Sequence, residues 1–284
     1  MNIFKKAYHY YAPYWVKKIY RGRMFSEEYK KFLENGVEEN CEKETEYIKN
    51  SRWVPVIPYK WSELYAARDY KMHKDGKGFF VEIDKKKLYL PRNDDGGYSE
   101  GIARVMAEQD RRSPHLYFDN NVCVNQDSVL FDIGAAEGLI TLLNIDRVKK
   151  AYVFECDDEW IGALQKTFEP YGDKVSIINK FVSDVNDDNN TTLEVFLKEH
   201  TEDTVILKMD IEGMETAVVE KGLGCYMGAT NIKFSCCTYH HANDATTLQN
   251  LFGKYGYKTE FTEGHILFMN EKPYFRKGII RAWK

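Results

Sequence analysis

Residues 129–138, Val-Leu-Phe-Asp-Ile-Gly-Ala-Ala-Glu-Gly, constrain this chain more than any other segment. An apolar run ends in an acid, Asp132 and its neighbour Ile133 lead into a Gly-x-x-x-Gly spacing, and an amphipathic stretch covers 139–148. That order predicts a buried strand turning sharply into a helix, with glycine letting a ligand approach the backbone at the turn. Twenty-one residues beyond Gly134 the next apolar run, 151–154, ends in Glu155. A carboxylate at the tip of a second strand can accept hydrogen bonds from both hydroxyls of a ribose. The two segments together predict a nucleoside-containing ligand lying across the strand tips of an α/β sheet.

The rest of the chain fits that architecture. After residue 127, strand patterns at 128–133, 151–155, 175–179, 204–209 and 231–238 alternate with helix patterns at 137–148, 158–168, 191–199, 214–222 and 244–254. Segments 256–258 and 265–269 supply an antiparallel terminal hairpin. Alternation of this kind requires a mainly parallel sheet covered by helices on both faces, with right-handed connections. Ligands then bind beyond the carboxyl ends of the strands, at the point where strand order reverses. Upstream, 3–50 reads as helical with Ser26 as an N-cap, and 79–92 as a hairpin turning at 84–87. The turn-rich 93–97 forms a boundary, and 100–110 is helical. The expected partition is an N-terminal helical and hairpin extension, 1–118, and a ligand-binding domain, 119–284.

The loop chemistry narrows the ligand. A nicotinamide dinucleotide needs Gly-x-Gly-x-x-Gly, but Ala136 and Leu139 stand at the second and third glycine positions, and no Gly-Lys-Ser/Thr follows to make a P-loop. The pattern Asp132-x-Gly134-x-x-x-Gly138 instead resembles motif I of class I methyltransferases. Downstream, Lys208-x-Asp210-x-Glu212-Gly213-x-Glu215 resembles the signature of the FkbM-like methyltransferases, and the likeness covers about 127–268. The resemblance implies a Rossmann-like sheet, S-adenosyl-L-methionine as cofactor, and methyl transfer to oxygen, often on sugars of natural products or cell-surface glycans. A catalytically inactive cofactor-binding protein and an NAD-dependent oxidoreductase are the competing readings.

Candidate residues follow from strand ends. Asp132, Gly134, Ala135, Glu137, Gly138 and Glu155 are expected at the cofactor, with Ser183 and Asp184 at the adenine edge after the third strand. Asp210 closes the fourth strand, and Glu212 two residues on would share its face, where mutual repulsion raises one pKa to that of a base. His240 and His241 follow the fifth strand. Adjacent residues project oppositely, so one histidine faces the site as a proton acceptor. Asp210 with a histidine could also hold a divalent cation, although no metal is expected. Glu108, Arg112 and His115 precede the first core strand and are placed to roof the pocket.

Charge is unevenly spread. The net value is −4, yet residues 1–31 carry +6 and residues 271–284 carry +4, so the intervening residues carry −14. Both basic ends are interleaved with aromatics, a composition suited to anionic membrane surfaces. The acidic middle argues against nucleic acid as a partner. No apolar run approaches the ~20 residues of a membrane span. Six cysteines without Cys-x-x-Cys spacing indicate reduced thiols. A cytoplasmic protein touching the inner membrane face, acting on a saccharide or lipid-linked glycan, is the expectation.

Overall fold

The computed structural model describes residues 40–51, 56–92, 97–225, 231–269 and 273–284. The basic, aromatic segment 1–31 with Ser26 and the turn residues 93–96 lie outside them. Before the sheet come helices α1 (Glu42–Asn50) and α2 (Glu63–Ala66), strands β1 (His73–Asp75), β2 (Gly78–Ile83) and β3 (Lys86–Leu90), and helix α3 (Gly97–Glu108). The expected hairpin is β2–β3, and β1 adds a third antiparallel strand to it. Its apolar face is not independent. Val81, Leu88, Leu90 and Ile102 share one buried cluster with Leu139, Leu142, Val153 and Leu164.

The remaining strands are β4 (Ser128–Ile133), β5 (Lys150–Phe154), β6 (Val175–Ile178), β7 (Phe181–Val182), β8 (Asn190–Thr191), β9 (Thr204–Met209), β10 (Ile232–Cys237), β11 (Lys258–Phe261), β12 (Ile266–Met269), β13 (Pro273–Arg276) and β14 (Ile279–Trp283). Helices α4 (Leu139–Asn144), α5 (Asp158–Phe168), α6 (Glu194–Leu197), α7 (Glu215–Cys225) and α8 (Asp244–Lys254) intervene. Seven strands form one Rossmann-like sheet in the order β11-β14-β10-β9-β4-β5-β6. The five from β10 to β6 are parallel, and β14 and β11 are antiparallel to their neighbours. Every residue of β4 is buried, as a central strand covered on both faces demands. Strand order reverses between β4 and β9. The register there aligns Ile133 with both Phe154 and Met209, so the tips bearing Gly134, Glu155 and Asp210 end level.

The carboxyl-terminal part departs from the sequence reading. Segment 265–269 does not pair with the strand after Gly256. It forms a separate two-stranded ribbon with β13, while β11 pairs with β14. Strand β14 escaped notice because Arg281 interrupts its apolar pattern. That arginine is buried, ion-paired to Asp119 at 2.8 Å, and donates to the carbonyls of Leu116 and Tyr117. Phe275 is also buried. Within the basic, aromatic tail, Phe275 and Arg281 are thus packed into the protein. Helix α6 is a single turn, shorter than the predicted 191–199, and α4 gives way to a 3₁₀ turn at Ile145–Arg147. Among the described residues no helix is long and apolar enough to cross a membrane.

Both motif glycines are required, but by the protein itself. Gly134 has φ +74°, and a Cβ there would collide with the carbonyl oxygen of Asp210. Gly138 has φ +78°, and its Cβ would fall 2.6 Å from Leu164 Cδ2 and 2.9 Å from Phe168 Cε2. The glycines let β9 and α5 approach the turn. Gly138→Ala should therefore lower stability by about 1–3 kcal/mol through backbone strain and overpacking. Gly222→Ala, in helix α7 with nothing within 4 Å of its Cβ, should be neutral or stabilising. Urea denaturation of the two variants measures the contrast, and equal losses would contradict it.

Candidate active site

A cavity of about 590 Å³ opens over the carboxyl ends of β4, β5, β9 and β10. Its floor is the turn 133–137. One side is Glu155, Trp160 and 180–182, and the other is Asp210, Tyr239 and His240. Arg104, Val105 and Glu108 of α3, with His115 and Tyr117, close it from above, and Ile266 and Phe268 of β12 also line it.

Four of the five amides of turn 134–138 are already committed. Gly134 and Ala135 N–H donate to the Phe154 carbonyl, and Gly138 N–H donates to Ala135. Ala136, itself at φ +47°, donates to Glu155 Oε2 at 2.7 Å. Glu155 Oε1 accepts from the N–H groups of Cys156 and Asp157, both at 2.8 Å. A carboxylate offers about four acceptor positions, so three bonds leave Oε2 one site facing the cavity.

Lys208 organises the centre. Its ammonium lies 3.1 Å from Asp132 Oδ1 and donates to the Gly134 carbonyl at 2.5 Å. Burial pushes its pKa down, but the carboxylates of Asp132 and Asp210 outweigh that and hold it above the ordinary lysine value. Asp132, fully buried, also accepts from Thr141 Oγ1 at 2.7 Å and does not line the cavity. It supports the turn from beneath. Gly138 lies outside the lining too, against α5. Ser183 and Asp184 are displaced from the cavity: Ser183 Oγ bonds within its own turn to Val185, and the wall is made by 180–182 instead. Gly134, Ala135, Glu137 and Glu155 do line it.

Asp210 accepts the Tyr117 hydroxyl at 3.0 Å and the Tyr239 hydroxyl at 3.2 Å to each oxygen. Burial pushes its pKa up, yet Lys208 foremost holds it below the usual carboxylate range. Burial and the Asp210 charge push both tyrosines up, so they remain donors. The expected repulsion with Glu212 does not arise. Glu212 adopts φ +54° past the strand end, and its side chain is 90% exposed. The raised carboxyl is Glu137, which burial brings to about 7.

The two histidines part. His240 lines the cavity, with Nδ1 3.1 Å from Glu215 Oε1 and Nε2 3.5 Å from Asp210. Burial lowers its pKa, but Glu215, Asp210 and Glu212 raise it further, which favours the charged ring. Buried Glu215 also accepts the Ile211 N–H at 2.8 Å, the helix-start role available to it. His241 is 64% exposed, pairs with Asp244, lies over Gly213, and is outside the cavity. Of the expected roof, Glu108 and His115 are in place, while Arg112 turns out to Asp110. Tyr117 and Tyr239 carry no charge pattern that would single them out in sequence.

Comparison with protein-family models and with curated protein sequences gives no match. Among solved structures, the chain is similar to a precorrin-6y C5,15-methyltransferase from Geobacter metallireducens (13% identity, 72% of this chain and 95% of that one, TM-score 0.40). It is also similar to a precorrin 8W decarboxylase from Methanobacterium thermoautotrophicum (14%, 57% and 83%, TM-score 0.39). An rRNA methylase from Streptococcus thermophilus is a third (12%, 57% and 89%, TM-score 0.34).

A raised histidine pKa stabilises the fold fully below the unfolded value of about 6.5, and the gain is lost as pH rises through the folded value. Wild-type stability relative to His240→Gln should therefore shrink as pH increases from about 6 through neutrality. Denaturation midpoints across that range measure it, and a constant difference would contradict the upward shift.

Proposed function

We propose that this protein is an S-adenosylmethionine-dependent O-methyltransferase, with a sugar hydroxyl of a cell-surface glycan or other saccharide as acceptor. One observation carries the cofactor reading. The turn at the sheet's switch point has the place of a nucleotide-binding loop, but the amides of Gly134, Ala135, Ala136 and Gly138 are consumed by Phe154, Ala135 and Glu155. A pyrophosphate needs those donors free. The lining acids Glu108, Glu155, Asp157, Asp210 and Glu212 outnumber the cations Arg104, Lys180 and Lys208, a balance that suits a cationic sulfonium better than a phosphate. A nucleoside without phosphates fits, with its ribose at Glu155 and its adenine between Trp160 and 180–182. The saccharide class rests on the likeness of 208–215 to the FkbM-like signature.

The cofactor's sulfonium supplies an electrophilic methyl group, so the chain's task is to align the acceptor oxygen and exclude water. Asp210, fixed by two tyrosines, accepts the hydrogen bond of the acceptor hydroxyl. Its low pKa does not disqualify it: as the carbon–oxygen bond forms, the oxygen becomes strongly acidic and the carboxylate takes its proton. His240, backed by Glu215, positions Asp210 and the acceptor.

Calorimetry with S-adenosylhomocysteine tests the cofactor. It should bind, NADH should not, and Glu155→Gln should weaken binding by roughly 10- to 100-fold, the scale of a hydrogen bond to a charged group. Preference for NADH, or unchanged affinity in the folded variant, would sink the assignment. For the chemical step, Asp210→Asn should cut transfer of a labelled methyl group to saccharide by about 10²–10⁴-fold with cofactor affinity nearly intact. His241→Ala should be nearly silent. Full turnover in Asp210→Asn would remove the catalytic role.

A further inference from the structure

Strands β12 and β13 pair with each other and lie outside the main sheet. A two-stranded ribbon is marginally stable by itself, so the contacts around it decide where it sits. Residues before β1 supply them. The Leu267 N–H donates to the Val56 carbonyl at 2.8 Å. The His265 N–H donates to Glu44 Oε1 at 3.0 Å and to the Tyr59 oxygen at 2.9 Å, and the Tyr59 hydroxyl donates to the same carboxylate. Gly264 has φ +82°, and a Cβ there would collide with that hydroxyl. Glu44 is 3% exposed; burial pushes its carboxyl up, but hydrogen bonds from His265 and Tyr59 outweigh that and hold it at about 2. A buried carboxylate is costly unless its partners stay in place, so Glu44 fixes the entry to β12.

The methyl-transfer chemistry uses none of these groups, but the strand they hold reaches the reacting carboxylate. Ile266 and Phe268, two residues apart on β12, both line the cavity. The Phe268 ring centroid is 5.1 Å from that of Tyr239 and, edge-on, 5.8 Å from that of His240. Tyr239 donates to Asp210, and His240 Nε2 is 3.5 Å from Asp210 and 3.8 Å from Glu212. An aromatic surface thus borders two carboxylates, on the side of the cavity opposite Glu155 and Trp160.

We propose that Phe268 is the platform on which the pyranose ring of the acceptor stacks, and that Glu44 is a positioning residue that sets this platform through the ribbon. A pyranose presents a face of C–H groups and an edge of hydroxyls. The weakly positive C–H groups meet the negative face of an aromatic ring, and the hydroxyls meet acceptors at its border. A flat aromatic acceptor would use the platform but has no row of hydroxyls to offer Asp210 and Glu212. The platform rests on the saccharide reading above and assigns to Phe268 the recognition of the sugar ring.

The experiment is transfer of a labelled methyl group from S-adenosylmethionine to the methyl pyranosides of glucose, galactose, mannose and xylose, beside calorimetry with S-adenosylhomocysteine. Phe268→Ala should raise KM for the methylated glycoside by roughly 5- to 30-fold, the scale of a lost aromatic contact, with S-adenosylhomocysteine affinity unchanged, which also reports that the variant is folded. Phe268→Trp should restore most of the loss and Phe268→Leu little. Glu44→Gln should raise the same KM more than it lowers kcat, and should speed hydrogen exchange of the His265 and Leu267 amides. Unchanged KM in Phe268→Ala, full rescue by Phe268→Leu, or S-adenosylhomocysteine binding that weakens in step with KM overturns the platform while the cofactor reading stands. Faster exchange in Glu44→Gln without a change in KM overturns the role of Glu44. Transfer by the wild type to none of the glycosides, with S-adenosylhomocysteine bound, overturns the saccharide class and the platform with it. Failure of S-adenosylhomocysteine to bind overturns the cofactor reading as well.

Discussion

Lys208 sits where the sheet divides. Connections from β4 lead towards β6 and those from β9 lead towards β10, so a crevice opens above the two paired tips. The buried ammonium bridges Asp132 of β4, the Gly134 carbonyl beyond it, and the field of Asp210 at the end of β9. Taking such a charge out of water costs several kcal/mol, and only close opposite charges and satisfied donors offset it. The same arrangement sets the chemistry of the site, because the cation that holds the tips together also keeps Asp210 ionised.

From that centre the rest of the site is a chain of consequences. Ionised Asp210 orients the hydroxyls of Tyr117 and Tyr239, and Tyr239 in turn fixes His115. Tyr117 is delivered by segment 116–119, which is pinned from behind by Arg281 on β14 and by the Ser235 hydroxyl on β10. The last strand of the chain thereby shapes a cavity formed by the first strands of the sheet. Glu155 has an analogous double role, tying the motif turn to the start of α5 while keeping one acceptor position towards the cavity.

Periodicity made the parallel strands legible, since buried apolar runs such as 128–133 and 204–209 resemble little else. The acids at their ends, Glu155 and Asp210, were legible for the same reason. What escaped were features set by distant partners. Arg281 disguised β14 because its compensating Asp119 is 162 residues away. The motif glycines read as ligand access because the Asp210 carbonyl and the α5 side chains that crowd them are invisible in one dimension. Asp132 read as a ligand contact, although its Lys208 partner turns it inward. Protonation states were the least legible. Asp210 and His240 carry the residue types of a base, but Lys208 lowers the pKa of the first, neighbouring carboxylates raise that of the second, and burial lifts Glu137 to about 7.

The central claim is that the switch-point crevice is shaped for a phosphate-free adenosyl cofactor. A crystal structure with S-adenosylhomocysteine tests it directly. The account predicts one ribose hydroxyl on Glu155, the adenine beside Trp160 and 180–182, and the sulfur turned towards Asp210, with the turn 134–138 unmoved. A ligand seated elsewhere on the protein, or one that binds only after the amides of the turn have been released from Phe154 and Glu155, would contradict it.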